Sequence, residues 1–181
     1  APASCDVVLS NFTLHRVRDL DGFLARLDRA LRPGGWLVLN EYVGPRHFQF
    51  QPRQLRIVEE LLAALPGRLR LHWPSGLLKS FHLPPPVAHF LAHAPNEAVS
   101  SEEIVPGVSA RFDLVSRRDY GGTILSPLLE GIIGNFDESR EEELALLRLL
   151  STCERILLRE AALASDFTVL VARKRATGES A

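Results

Sequence analysis

Cys5-Asp6-Val7-Val8-Leu9-Ser10-Asn11, Leu20 to Leu31, and Trp36-Leu37-Val38-Leu39-Asn40-Glu41 decide the fold of this chain. The first and third are short runs, apolar at consecutive positions, the pattern of strands covered on both faces. Between them Leu20, Phe23, Leu24, Leu27 and Leu31 fall at helical spacing, the stripe of a helix lying on a sheet. Asp19 is placed to cap that helix and Pro33-Gly34-Gly35 to stop it. Strand, helix and strand in so short a span form the unit from which parallel sheets are built.

Working outward, a helix is expected from Pro52 to Leu65, with Leu55, Val58, Leu61, Leu62 and Leu65 inward and Pro66-Gly67 ending it. Residues 68–99 are punctuated by Pro74, Pro84-Pro85-Pro86 and Pro95. They read as an ordered insertion, a lid or pocket wall with a short helix over Pro86 to Ala94, because Phe81, Leu83, Val87, Phe90 and Leu91 need burial. Ser100 to Glu103 makes a capping box for a short helical turn. Phe112 to Ser116 reads as a strand continuing toward Tyr120-Gly121-Gly122, and Ile124 to Phe136 as an apolar helix. Ser139 and Glu142 make a second capping box, opening a long helix, and Phe167 to Lys174 is a last strand. The chain thus reads as one domain over residues 1–175, with 176–181 a disordered tail.

Composition narrows the function classes. The 181 residues are 46% hydrophobic and 24% charged, ordinary for a globular protein, and a net charge of −1 opposes binding by phosphate neutralisation. No nucleic-acid partner is expected. The two cysteines, Cys5 and Cys153, form no metal or disulfide pattern. No apolar run approaches the roughly 20 residues of a membrane span, and no signal peptide is visible, so a cytoplasmic location is the expectation. His89 and His93 would share a helical face, but no third ligand is evident and no metal is expected. G-x-G-x-x-G, P-loop and G-x-S-x-G patterns are absent, and no lysine stands four residues after Tyr42 or Tyr120.

The wording from Asp6-Val-Val-Leu-Ser-Asn through Leu14-His15 to Leu31-Arg-Pro-Gly-Gly-Trp-Leu-Val-Leu-Asn-Glu41 resembles the middle of class I S-adenosylmethionine (SAM) dependent methyltransferases. The likeness recurs at Ala98 to Ile104, Tyr120 to Thr123, Gly134-Asn135-Phe136 and Asp166 to Arg173. It implies an α/β fold: a partial Rossmann-like sheet matching strands 4 to 7 of the family, with helices on both faces. The last strand would run antiparallel, inserted between the second and third strands seen here. In that family a glycine-rich cofactor loop precedes this point. None is found in the chain, which reads as a truncated, C-terminal half whose own SAM binding should be weak or absent.

Ligands of open parallel sheets bind beyond the carboxyl ends of the strands. The resemblance therefore places Ser10, Asn11, Phe12 and Leu14 beside the methionine half and sulfonium of SAM. His15 and Glu41 are the candidate catalytic bases, and Tyr42, Tyr120 and Gly121 the candidate substrate pocket. Plainer readings stand beside these: a strand-ending turn at Asn11 and Phe12, a solvent-facing His15, a solvated Glu41, a packed Tyr42 and a simple turn at Tyr120-Gly121. Asn11-Phe12-Thr13 departs from the Asn/Asp-Pro-Pro-aromatic motif of enzymes that methylate amide or adenine nitrogens. That favours a small-molecule acceptor. The alternative is a non-catalytic, methyltransferase-like interaction subunit or scaffold. Its unpaired edge at residues 5–11 would pair with a second copy or a partner chain.

Overall fold

The computed structural model describes residues 2–176. The tail expected at 176–181 lies, apart from Ala176, outside the described residues. The chain divides into two compact units. One holds the residues up to Gln49, Pro85–Tyr120 and those from Asp166 onward; the other holds Phe50–Pro84 and Gly121–Ser165. The stretch 68–99, read as one insertion, is therefore divided between them.

The first unit is built on a four-stranded sheet. Strand β1 (Cys5–Asn11) leads through helix α1 (Leu20–Ala30) to β2 (Leu31–Tyr42), which lies parallel to β1. The Asp19 side chain accepts a bond from the Gly22 amide, as the cap reading requires. Leu31 is extended rather than helical, so β2 starts before Pro33-Gly34-Gly35, and the register with β1 slips between Cys5 and Val7. The turn residues make an irregularity at the strand's start instead of a separate loop.

Helices α3 (Val87–His93) and α4 (Ile104–Arg111) and strands β5 (Phe112–Gly121) and β6 (Phe167–Lys174) belong with this sheet by sequence segment, and the strand order is β1-β2-β6-β5. Strand β6 is antiparallel to β2, Leu39 opposite Leu170 and Tyr42 opposite Phe167, as the resemblance implied. Helix α4 extends the short turn expected near residue 103. Ser100 does not box its start: its hydroxyl donates to the carbonyls of Leu14 and Val17 instead.

The core of this unit joins Leu37, Leu39, Leu170 and Ala172 of the sheet to Leu24 of α1 and Ile104 of α4. Each buried leucine of this kind contributes roughly 2 kcal/mol. The strands are not equally covered, however. Val7 and Leu9 of β1 are 49% and 74% exposed, so the consecutive apolar run there does not mark a strand buried on both faces.

The second unit holds α2 (Pro52–Ala64), the two-stranded β3 (Leu71–His72) and β4 (Leu77–Leu78), α5 (Leu125–Leu129) and α6 (Glu141–Arg159). Val58, Leu62, Ile124, Leu128, Ile132 and Leu150 form its core. The apolar helix expected over Ile124 to Phe136 is cut to five residues. Glu130 leaves the helical conformation and Gly131 takes φ +70°, after which only a 3-10 turn at Ile133–Asn135 follows. Ser139 does not cap α6, because its hydroxyl and amide both bond Asp137; Glu143 instead reaches back to the Asp137 amide.

Candidate functional site

Because β1 and β2 are parallel, their carboxyl ends come out on one rim of the first unit. The turns that leave them share an uncommon feature. Phe12 after β1 has φ +49°, and His47 and Phe48 after β2 have φ +51° and +54°. A side chain held in the left-handed region costs about 1–2 kcal/mol, and it persists only where the surroundings fix it.

The first turn is fixed by Glu41. This residue sits next to last on β2, and its side chain is fully buried. One carboxylate oxygen accepts the amides of Thr13 and Leu14, both at 2.8 Å, and the Ser10 hydroxyl at 3.4 Å. The other lies 2.9 Å from Nδ1 of His15, itself 4% exposed. Burial opposes ionisation of Glu41, but the bonds from His15, Leu14 and Thr13 outweigh it and hold the carboxyl below its ordinary range. The ionised carboxylate fixes the His15 proton on Nδ1. Nε2 then accepts from Arg16 Nε at 3.3 Å, and Arg16 pairs with Glu97 at 2.9 Å. Phe12 completes the turn by donating its amide to the Asn40 carbonyl at 2.8 Å.

The opposite face of the same strand ends is aromatic and amide in character. Asn11 and Asn40 are register partners, and the Asn40 amide donates to Asn11 Oδ1 at 2.8 Å. The Tyr120 hydroxyl donates to Asn40 Oδ1 at 2.7 Å. Around Phe167 stand the rings of Tyr42, Phe12 and Tyr120, with centroids at 5.3, 5.9 and 5.9 Å. Phe12 is 40% exposed and Tyr120 49%. Tyr42 is buried, donates to the Pro45 carbonyl at 2.9 Å, and is pushed far above the usual phenol range by burial and by Asp166 and Glu102. Burial also raises Tyr120; its bond to Asn40 works against this, and the Glu41 charge adds to it. Neither phenol can serve as a base near neutral pH.

The structure thus gathers Ser10, Asn11, Phe12, Leu14, His15, Glu41, Tyr42 and Tyr120 on one rim, in different postures. Leu14 offers only its amide, since its side chain is wholly inside the core. Glu41 and His15 face each other, away from solvent. Gly121 follows Tyr120 at the end of β5. It begins a stretch of the second unit, where its amide bonds Ser165 at 2.9 Å. Sequence reasoning passed over Asn40 and Phe167 as site residues. The alternation of β2 placed Asn40 on the face opposite Glu41, and an antiparallel last strand brings Phe167 to the rim. His89 and His93 stack at 4.5 Å, and among the described residues no group of three or more His, Cys, Asp or Glu gathers as a metal site would need.

Residues 1–39 match a family model described as methyltransferase domain. No curated protein matches the chain. Similar solved structures include the SpnF cyclase, with 14% identity and a TM-score of 0.42 over 97% of this chain and 51% of that one. A second is phosphoethanolamine N-methyltransferase 2 of Haemonchus contortus with phosphomonomethylethanolamine and S-adenosylhomocysteine (18% identity, TM-score 0.46, 97% and 34% covered). A third is the geranyl diphosphate C-methyltransferase of Streptomyces coelicolor (15% identity, TM-score 0.42, 96% and 46% covered). The chain spans about a third to a half of the length of these proteins.

Proposed function

We propose that this chain, whose residues 1–39 match the methyltransferase-domain family, serves SAM-dependent methyl transfer to a small-molecule acceptor. The observation that carries this reading is the Glu41 clamp. A fully buried carboxylate holds the backbone beyond β1 through two amides and a histidine, and so fixes a strained turn where an open parallel sheet takes its ligand. The residues present suit the methionine end of the cofactor: an exposed Phe12 ring, the Asn11 side chain and the polypeptide of residues 10–14. When bound, the cofactor supplies an electrophilic methyl group on sulfur.

The chain's own residues divide the remaining work. Glu41 and His15 position the turn; we assign neither to proton transfer, because each is the other's partner and neither reaches solvent. The exposed Phe12, Asn11 and Tyr120, with the half-buried Asn40, form the wall against which an acceptor is aligned. Alignment is an effect large enough to carry a methyl transfer without a rim base, so a proton leaving the acceptor passes to water. SAM binding by residues 1–181 alone is expected to be weak, because they hold no glycine-rich phosphate- or cofactor-type loop. The test is an NMR titration of the chain with SAM. Shifts at the Thr13 and Leu14 amides and the Phe12 ring are expected at millimolar cofactor. Shifts scattered elsewhere would sink the reading, and micromolar affinity would overturn the expectation that the chain alone binds the cofactor weakly or not at all.

A second reading rests on β1. It stands at the edge of the sheet order with Val7 and Leu9 exposed, a surface suited to pairing with a second copy or a partner chain. Light scattering that finds only a stable monomer across micromolar concentrations would count against homodimerisation through this edge.

A further inference from the structure

The β3–β4 hairpin of the second unit inverts the usual sorting of side chains. Its polar groups are turned in. Lys79, 8% exposed, donates from Nζ to the carbonyls of Pro127 and Glu130, both at 2.7 Å. The half-buried His72 ring bonds the Ser75 hydroxyl at 2.8 Å, across a turn in which Gly76 takes φ +70°. The large apolar groups are turned out: Leu71, Trp73, Leu77, Leu78, Phe81 and Leu83 are all exposed, from 46% at Leu71 to 78% at Leu83. The apolar pattern of the insertion calls for burial of Phe81 and Leu83, and the structure leaves both open. This is no loose loop. Leu71 pairs with Leu78 and His72 with Leu77; the Trp73 amide donates to the Gly131 carbonyl at 3.0 Å, and Asn135 Nδ2 to the Leu71 carbonyl at 2.8 Å. The backbone thus holds the apolar side chains in water, which marks a surface made to meet something else.

Shape and charge choose the occupant. Leu71 and Leu78 are register partners on one face of the ribbon and Leu77 lies on the other, so both faces are apolar. A flat protein partner covers one face of a ribbon; a lipid layer surrounds both. From Leu61 to Pro84 there is no Asp or Glu, in a chain that carries 22 of them, while Arg68, Arg70 and Lys79 fall in this stretch with His72 and His82. Two carboxylates from elsewhere in the unit pair with these groups. Glu143 is buried and pairs with Arg68 and Arg140, whose side chains stay half exposed; Arg140 also meets Glu142. Glu130 is exposed, but His82 pairs with its carboxylate at 3.1 Å and Lys79 sits on its carbonyl. The hairpin therefore presents apolar groups at its tip and cations at its base, complementary to anionic headgroups over an apolar layer.

We infer that the β3–β4 hairpin docks this chain on an anionic lipid surface, with Trp73 and the leucines beside it entering the headgroup layer and Arg68 meeting lipid phosphates. Tryptophan suits that depth, since its ring is apolar and its N–H finds partners among the headgroups. The contact is insertion at the surface and not a span: no helix of the described residues is long and apolar enough to cross a membrane. The inference stands apart from the methyl-transfer reading and uses none of the rim residues.

The experiment mixes the full chain with vesicles of phosphatidylcholine and phosphatidylglycerol in equal parts, and separately with vesicles of phosphatidylcholine alone. Binding is read by cosedimentation and by tryptophan emission in a Trp36→Phe background, which leaves Trp73 as the one tryptophan. The mixed vesicles should carry the chain down and shift Trp73 emission to the blue. Neutral vesicles should bind about fivefold less, the effect of one arginine near an anionic surface, and added salt should narrow that gap. Trp73→Ala and Leu77→Ser should each weaken binding about tenfold, the scale of one large apolar side chain partly withdrawn from lipid. Both residues are exposed, so the urea midpoints of these variants should match the parent, which separates lost docking from lost folding. Equal binding to the two kinds of vesicle, an unshifted Trp73, or binding that survives Trp73→Ala would overturn the inference. A blue shift that follows protein concentration without lipid would give the hairpin to a second copy and overturn it as well.

Discussion

Each of the two units contains a buried carboxylate clamping backbone amides, and the two clamps differ in what they hold. In the first unit Glu41 takes the amides of Thr13 and Leu14 and the ring of His15. In the second, Glu154, 3% exposed, takes the amides of Gly122, Ile124 and Leu125 at 2.8, 2.6 and 2.9 Å, satisfying the start of α5. Both solve the same problem of buried N–H groups without partners. Glu154 does so with backbone donors only. The Glu41 clamp adds a titratable ring, fixes a strained aromatic residue, and lies under an exposed rim. A buried carboxylate is therefore no mark of catalysis by itself; what it holds in place decides.

The largest effects should come from removing each clamp. Glu41→Ala leaves His15 and two amides buried without their acceptor, and should cost about 3–5 kcal/mol of unfolding free energy by urea denaturation. Glu154→Ala should cost about 3 kcal/mol, since Ile124 is fully buried but Gly122 and Leu125 are partly exposed. The sharper contrast lies in nitrogen NMR of His15. Glu41→Gln should release the Nδ1–H tautomer, while Glu154→Gln should leave it unchanged. A His15 signal indifferent to Glu41→Gln would dissolve the distinction between the clamps.

Next in size is a change aimed at the second clamp from the opposite side. Gly121 has φ +105°, and a Cβ there would lie 2.1 Å from the Glu154 carboxylate oxygen. Gly121→Ala should cost about 2–3 kcal/mol, from backbone strain and displacement of the clamp. Hydrogen exchange at Ile124 and Leu125 should quicken while Thr13 and Leu14 are unaffected. Protection lost equally at both clamps would show them coupled.

Acid should then separate the wild type from Glu41→Gln. Since the folded pKa of Glu41 is lowered, its contribution is complete above the ordinary value of 4.5 and is lost as pH falls from there through the folded value. In that window the unfolded chain binds the proton first. The slope due to Glu41 is at most about 1.4 kcal/mol per pH unit, and the Gln variant should lack it. Parallel pH profiles for the two proteins would refute the ionised clamp.

Much of this was legible in the sequence, for physical reasons that also explain what was not. The strand–helix–strand opening declares itself through apolar spacing and a real cap at Asp19, both local signals. The boxes at Ser100 and Ser139 failed because a hydroxyl takes whichever acceptor folding brings near. For Ser100 that is the chain at Leu14 and Val17, more than eighty residues away. Glu41 was visible as a candidate carboxylate at a strand end, but its role turns on burial. The alternation that sets it opposite Asn40 is local to β2, but which face is covered is decided only in the folded sheet. Fourfold-spaced motifs speak of neighbours along the chain; the clamp and the aromatic rim are made across it.

The smallest effect tests whether the strained turn is held for its ring. Ala161 of the second unit, like Phe12, has a positive φ, +51°, and its side chain is small and exposed. Ala161→Gly should relieve about 1–2 kcal/mol of strain against a glycine entropy cost of about 0.5–1 kcal/mol, a net gain of up to about 1 kcal/mol. Phe12→Gly relieves the same strain but gives up a ring more than half covered and packed edge-on against Phe167, worth about 1 kcal/mol or more. The two terms should cancel, leaving Phe12→Gly within about 1 kcal/mol of wild type in urea denaturation. If Phe12→Gly stabilises as much as Ala161→Gly, the ring contributes nothing to the fold. Its exposure at φ +49° would then serve a ligand alone.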